Sequence, residues 1–183
     1  DGIDHADSDG NTLVGHCAGS GGAAAMIDCV AIGKYAMNST AANAQTGTIA
    51  IGKDALTALT SGLYNTAVGY QSAKAITTGA GNTTLGYQTM DSADGGESYN
   101  VAIGQHAMGN VNHDDADRNV IIGAAAGDEI GANALADTVI IGYAAVSDVP
   151  TSAASGTIAI GSGALKVLTS GAVSYTHLRA HET

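Results

Sequence analysis

The stretch Asn65-Thr66-Ala67-Val68-Gly69-Tyr70 decides the fold, because its pattern recurs along almost the whole chain. Nine related stretches each end in a glycine, and successive glycines are 17 to 19 residues apart. The nine glycines are Gly15, Gly33, Gly52, Gly69, Gly86, Gly104, Gly123, Gly142 and Gly161. Self-similarity at a nearly fixed period is typical of a repeat architecture, so the sequence predicts a repeat protein.

The positions of one repeat are numbered here from its glycine, so that the preceding residue is position −1. Position −1 is always aliphatic and position −3 is always β-branched, which indicates a short strand whose successive side chains alternate between two faces. The glycine then turns the chain. Positions +3 and +4 are usually small and apolar, respectively, and indicate a second, shorter strand or a bend that closes the coil.

The spacing selects the fold class. A repeat of about 18 residues has no room for a strand-helix unit, and the spacers show no helical periodicity. The sequence therefore predicts an all-β protein, a parallel β-solenoid of about nine coils with an 18-residue period. At about 4.8 Å per coil, the solenoid would be a rod roughly 40 Å long.

Composition narrows the class of partner. The chain has 183 residues, 26 Gly, no Trp and no Phe, and 45% of it is hydrophobic, which suits a thin interior between closely spaced walls. Its net charge of −11 argues against nucleic acid and against an anionic membrane surface. No apolar run reaches 18 residues, so we expect no membrane insertion of this segment.

The two ends of the sequence differ from the repeats. The chain lacks an initial Met, and we expect it to be a fragment. Residues Val173–Thr183 break the repeat and resemble one reading frame of a transposase-type sequencing-library adapter. The expected domain organisation is a solenoid repeat domain over residues 1–172, followed by an adapter artefact over residues 173–183.

One face of the predicted strands suggests self-association. If positions −3 and −1 fill the interior, position −2 must point outwards, and none of its nine residues is charged. Stacked coils would align these side chains into an apolar stripe, which usually marks an interface. The interface candidates are Leu13, Ala67, Ile121 and Ile140.

No catalytic constellation is present in the sequence. It contains no G-x-S-x-G, P-loop, C-x-x-C or H-E-x-x-H motif, so it predicts no catalytic residue and no cofactor. His113, Asp114, Asp115 and Asp117 have the chemistry of a divalent-cation loop, but a solvated acidic loop is the commoner structure for such a run, and no metal ligand is assigned.

Two pairs of like residues occupy equivalent positions just after the glycine. Stacking of the coils should place Tyr70 above Tyr87 and Gln71 above Gln88. Two interpretations remain open: a strip on which glycans stack, or a side-chain ladder that stabilises the wall.

The recurring Asn-Thr-Ala-Val-Gly-Tyr-Gln and Val-Ala-Ile-Gly units resemble the head repeats of trimeric autotransporter adhesins, and still more the related repeats of bacteriophage tail fibres. The motif stands at Asn65–Gly69, Asn82–Gly86 and Asn100–Gly104, and the resemblance extends from Asn11 to Leu165. It implies a left-handed parallel β-roll, assembled as a homotrimer and displayed on a virion or outside a cell. The period is longer than that of autotransporter heads, which favours the phage repeats, as do the Gly-Tyr-Gln variant and the Leu-Thr-Ser-Gly spacers.

We therefore expect a structural and adhesive segment of a phage tail fibre that contacts a receptor, glycan or protein, on the host cell surface. The expected location is the virion, and no enzymatic activity is expected. The alternative is the head domain of a bacterial trimeric autotransporter adhesin on the bacterial outer surface. A third class, a solenoid enzyme of polysaccharide-lyase or acyltransferase type, would require an acidic pair or a histidine in a groove.

Overall fold

A computed structural model describes residues 8–20, 25–39, 43–131, 134–147 and 155–166. The adapter-like segment 173–183 and the second Leu-Thr-Ser-Gly spacer lie outside these ranges. The strands are β1 (Thr12–Val14), β2 (Met26–Ile27), β3 (Val30–Ile32), β4 (Gln45–Thr46), β5 (Ile49–Ile51), β6 (Thr66–Val68), β7 (Thr83–Leu85), β8 (Val101–Ile103), β9 (Val120–Ile122), β10 (Val139–Ile141) and β11 (Ile158–Ile160).

The architecture is a parallel β-solenoid, as the repeat predicted. Nine strands form one parallel sheet in the order β1-β3-β5-β6-β7-β8-β9-β10-β11, and β2 pairs with β4 in a second, two-stranded sheet. Each predicted strand occupies positions −3 to −1 of its repeat and pairs in register with the same positions of the next coil, as Ala67 does with Thr84. The described residues contain no helix.

The segment after each glycine is a turn, not a second strand. Positions −5, +2 and +4 have left-handed backbone in every coil, and twenty of these residues are not glycine, with φ between 48° and 61°. Such a residue costs roughly 1–2 kcal/mol. Backbone hydrogen bonds between coils hold all three positions: Gln88 N–H, at +2, donates to Tyr70 O (2.9 Å), and Met90 N–H, at +4, to Ala107 O (3.0 Å).

The face of the strand that points inwards is the opposite of the expected one. Position −2 is buried in the solenoid, whereas positions −3 and −1 lie on the outer surface. The predicted interface side chains Ala67, Ile121 and Ile140 are completely or almost completely buried within their own chain, and Leu13 packs against the same core. The prediction that these four residues form an outward stripe is therefore wrong.

The narrowness of the interior explains why position −2, and not positions −3 and −1, points inwards. The interior is so thin that position −2 faces position +4 of the same coil, and the two share one volume. A Cβ added at Gly19 would lie 2.8 Å from Cδ2 of Leu13, and one at Gly127 would lie 3.2 Å from Cδ1 of Ile121. Where position −2 is Ala, position +4 is larger in most coils, so small and large side chains alternate across the core.

Candidate functional site

The column of repeat glycines forms one corner of the solenoid. These glycines have φ between 129° and 144°, a region that side chains rarely adopt. Each of the first eight packs against the backbone of the next: a Cβ added at Gly69 would lie 2.0 Å from Gly86 O, and one at Gly52 would lie 2.2 Å from Gly69 O. Both the backbone angle and the close approach therefore require glycine at this corner.

A buried asparagine ladder supports the start of the strands. Asn65, Asn82, Asn100 and Asn119 occupy position −4 in successive coils and are at most 1% exposed. Asn82 Oδ1 accepts the backbone N–H of Asn100 (3.0 Å), while Asn82 Nδ2 donates to Asn65 Oδ1 (3.1 Å) and to Glu97 O (2.8 Å). The ladder satisfies buried backbone groups that the short strands leave unpaired, so its role is structural.

The outer face of the nine-stranded sheet is apolar and is not covered by other described parts of the chain. Its two columns, positions −3 and −1, contain only Val, Ile, Leu and Thr, and most of these side chains are partly exposed. Val14 and Leu85 are 56% and 48% exposed. In β8 to β11 the columns are entirely Val and Ile. A continuous apolar sheet face of this kind is a candidate interface.

The predicted stacking of like residues after the glycine is confirmed. The rings of Tyr70 and Tyr87 lie 5.4 Å apart and nearly parallel, at 9°. Gln88 Nε2 donates to Gln71 Oε1 (2.9 Å). Because the two rings cover each other's faces, only one face of each is left for a ligand. The arrangement favours the stabilising ladder over the glycan strip.

Lys53 and His106 extend this edge in the two opposite directions. The ammonium group of Lys53 lies 5.1 Å from the centre of the Tyr70 ring, and the His106 ring meets Tyr87 edge to face at 5.5 Å. Lys53 also forms an ion pair with Asp54, whose hydrogen bond raises the pKa of the lysine. Tyr70 is thus contacted by both Lys53 and Tyr87.

A second set of exposed tyrosines lies at position −5, on the other edge of the sheet. Tyr64 and Tyr99 are 63% and 66% exposed, and both have left-handed backbone. Each ring leans over a glycine of the preceding coil: a Cβ on Gly47 would lie 3.0 Å from Tyr64 Cδ1, and one on Gly81 would lie 2.9 Å from Tyr99 Cδ1. Sequence reasoning did not single out this pair, although the −5 column reads Gly, Tyr, Gly, Tyr over these four coils.

An ion pair continues this −5 column. Arg118 Nε and Nη2 donate to the two carboxylate oxygens of Asp137 at 2.7 and 3.0 Å. Arg118 thereby lowers the pKa of Asp137. Both side chains are exposed, so the pair contributes little to stability.

Two carboxyl groups, one on the buried Glu97 and one on the partly buried Asp128, each have a buried oxygen without a hydrogen-bond partner. Glu97 is fully buried, its Oε2 accepts the Gly95 N–H (3.1 Å), and its Oε1 has no hydrogen-bond partner. Burial raises the pKa of Glu97, and nearby Asp114 and Asp94 raise it further. Burial also raises the pKa of Asp128, whose Oδ1 lacks a partner.

The structure brings together no set of metal ligands in the described ranges. No group of three or more His, Cys, Asp or Glu side chains there is arranged to hold a metal ion. In the acidic loop, His113 Nδ1 accepts the Asp115 N–H (3.1 Å), so the loop is organised by its own turn. The two cysteines are both free, and burial raises the pKa of the Cys29 thiol.

Comparison of the chain with protein-family models, with curated proteins and with solved structures gives no match. No helix in the described residues is long and apolar enough to cross a membrane. Function must therefore be argued from the surfaces of the solenoid itself.

Proposed function

We propose that this chain is a structural and adhesive segment of a phage tail fibre, assembled as a homotrimer and contacting the host cell surface. The observation that carries the proposal is the apolar outer face of the nine-stranded sheet. The repeat resemblance supports the trimeric form, and the stacked coils supply a rod of the kind that a fibre needs.

The composition of the sheet face supports burial against other copies. The chain has a net charge of −11, yet none of the residues at positions −3 and −1 is charged. Solvent-facing strand positions are normally polar, because an apolar sheet face exposed to water favours association. The face therefore has the composition of an interface.

The area of the face gives the scale of the association energy. If each of its side chains loses about 30 Å² of exposed area, a chain covers about 540 Å², worth about 13 kcal/mol at about 25 cal/mol per Å². Association costs on the order of 4–15 kcal/mol, so the face alone gives marginal assembly. A trimerising partner segment would make the assembly stable, as expected for one stretch of a long fibre.

The test uses the full chain fused to a trimeric coiled coil. Ile122→Lys with Ile141→Lys places two charges at position −1 on the sheet face, and Ala124→Lys with Tyr143→Lys places the same charges in the same coils at position +1. The first pair should lower the melting temperature of the trimer by several degrees, whereas the second should leave it nearly unchanged. Equal melting temperatures for both variants and the parent, measured alongside sedimentation, would refute the sheet-face interface.

The head domain of a bacterial trimeric autotransporter adhesin is the alternative function, since it would use the same rod and the same face. The full-length gene distinguishes the two. A baseplate-attachment segment or an intramolecular chaperone indicates the tail fibre, and an outer-membrane anchor indicates the adhesin. A solenoid enzyme is tested separately, by activity on polysaccharides and acyl donors, and we propose that none will be found.

A further inference from the structure

We propose that neighbouring copies of this chain join rim to rim, so that position −5 of each coil in one copy contacts position +1 of the same coil in the next. The two rims are defined here as the columns at positions −5 and +1, which border the nine-stranded sheet on its two sides. This inference rests on the proposed trimer and deepens it, because it names the residues of the second copy that complete each contact.

The exposed tyrosines of the described residues all lie on the two rims. Tyr64 and Tyr99 stand at position −5, and Tyr70, Tyr87 and Tyr143 stand at position +1, each between 40% and 66% exposed. Tyrosine carries a large apolar ring and is enriched at protein interfaces. The rims therefore widen the apolar sheet face on both sides, and their burial adds to an association that the face alone makes marginal.

Symmetry decides which rims meet. In a cyclic trimer of parallel chains whose sheet faces turn towards the axis, the contacts between copies are heterologous. One rim of each copy therefore faces the opposite rim of the next copy, never the same rim. Rotation about the axis without translation also keeps equal coils at the same height, so position −5 meets position +1 coil by coil.

The charges of the two rims are complementary. Asp28 on the −5 rim faces Lys34 of the next copy in the same coil, and both side chains are exposed. Neither has an ion-pair partner among the residues that the structure describes. No coil carries like charges at positions −5 and +1. Contact between the rims therefore brings no repelling pair together and supplies a partner for both of these charges.

The volumes of the two rims are complementary in several coils. Gly81 shares its coil with Tyr87, and Ala124 shares its coil with Arg118. Within one chain the two positions are six residues apart, at opposite edges of the strand and up to about 20 Å from each other. Neither residue can fill the other's space there. A small residue opposite a large one fits close packing between two copies.

The pairing makes a separate prediction for each half of the position +1 control in the assembly test. Ala124→Lys faces Arg118 of the next copy, whereas Tyr143→Lys faces Asp137 of the next copy. The first contact is unfavourable and the second is favourable, so the two offset each other when combined. Measured singly on the coiled-coil fusion, Ala124→Lys should lower the melting temperature of the trimer and Tyr143→Lys should raise it.

A charge swap on the same fusion of the full chain tests the pairing directly. Asp28→Arg and Lys34→Glu should each lower the melting temperature of the trimer by a few degrees, and the double variant should recover most of the loss. Arginine is chosen because Arg118 holds the same position with the same left-handed backbone. The unfused chain at low concentration is the control. It should show no recovery, because the two charges of one copy lie at opposite edges of the strand and are screened by salt.

Crosslinking with a short bis-maleimide reagent tests which positions are neighbours. Cys17→Ala and Cys29→Thr first remove the native thiols, using residues found at these positions in other coils. Tyr64→Cys with Tyr70→Cys should then give a covalent trimer on a denaturing gel. Either cysteine alone should not, because like positions of three copies lie at three different corners. Tyr64→Cys with Tyr143→Cys is the matched control, because these positions are four coils, about 19 Å, out of level.

Each result decides the inference. Rim pairing is overturned if the charge swap recovers no stability, if the unfused chain recovers equally, or if the paired cysteines crosslink no better than the single or out-of-level cysteines. A fusion that remains sensitive to Ile122→Lys with Ile141→Lys but shows none of the rim effects refutes the rim pairing alone. A fusion insensitive to those two lysines refutes the sheet-face assembly on which the pairing rests.

Discussion

Replacing Gly69 by alanine should cost more than the same change at a glycine whose added Cβ would meet no backbone atom, such as Gly131 or Gly96. Gly69 has φ +141°, and a Cβ there would lie 2.0 Å from Gly86 O and 2.6 Å from Gly86 C. The methyl group thus meets two separate obstacles, an unfavourable backbone angle and the backbone of the next coil.

The two obstacles have separable magnitudes. Holding a non-glycine residue in a sparsely populated region costs about 1–3 kcal/mol. The methyl group would push Gly86 away and break the hydrogen bond that Gly86 N–H donates to Val68 O (2.9 Å). Leaving such a backbone group unpaired costs about 1–3 kcal/mol more. The expected total is about 2–6 kcal/mol, a large share of the 5–15 kcal/mol typical of a folded domain.

Two other glycines separate these contributions. Gly131 has φ +64° but nothing within 4 Å of an added Cβ, so Gly131→Ala should cost about 1–2 kcal/mol from conformation alone. Gly96 has ordinary backbone, and the nearest atom to its Cβ would be Thr78 Oγ1 at 3.5 Å, so Gly96→Ala should be neutral or slightly stabilising.

The assay is urea denaturation followed by circular dichroism, with hydrogen exchange to locate the damage. Because each coil contacts mainly its neighbours, Gly69→Ala should raise exchange in the coils of Gly69 and Gly86 first. If Gly69→Ala costs no more than Gly131→Ala, the close approach of the two backbones has no energetic consequence. If all three variants are alike, the reasoning about the glycine column fails.

Two further predictions concern buried polar groups. The pKa of Glu97 is raised by burial, so as pH rises from about 4 the unfolded chain releases this proton before the folded chain does, and stability falls until the folded pKa is passed. The stability of Glu97→Gln relative to wild type should therefore increase from pH 4 to pH 8 in urea denaturation, and a constant difference would contradict this. The hydroxyls of Ser72 and Thr84 hydrogen-bond at 2.7 Å inside the core, at positions that are Ala in most other coils. Thr84→Val alone should lower the free energy of unfolding by about 1–3 kcal/mol. The same change made in a Ser72→Ala background should lower it by less, because no buried hydroxyl is then left without its partner. Strictly additive losses would show that the two residues are uncoupled.

The backbone of the fold could be predicted because it repeats. A strand triplet and a glycine at nearly constant intervals indicate the solenoid, its parallel sheet and the stacking of Tyr70 on Tyr87, and the structure confirms all three. The three left-handed columns could not be predicted. Residues as different as Tyr64, Met90 and Arg118 adopt the same backbone there, because hydrogen bonds between coils impose it and side-chain preference does not.

The asparagine ladder gave only a partial signal. Asparagine begins the strand motif in several repeats, but Cys29, Thr48 and Thr138 occupy the same position in others. Its meaning becomes clear only when the carbonyl and N–H groups that it satisfies are known, since those groups come from different coils. Tyr64 and Tyr99 were missed for a similar reason, because the contact of each ring with a glycine of the preceding coil exists only once the coils are stacked.

The inverted strand face is the instructive error, because a signal for it lay in the sequence. The expectation assumed that the bulkier columns, −3 and −1, fill the interior and that the mostly small column, −2, faces out. Yet position +4 compensates position −2 in size: Leu13 occurs with Gly19 and Ile121 with Gly127, whereas Ala102 occurs with Met108. Two positions that compensate each other's volume must share one packed space, and an outward column has no such partner. Interior position in a thin solenoid is therefore better judged from compensation between columns than from the size of either column alone, and that criterion assigns positions −3 and −1 to the outer surface.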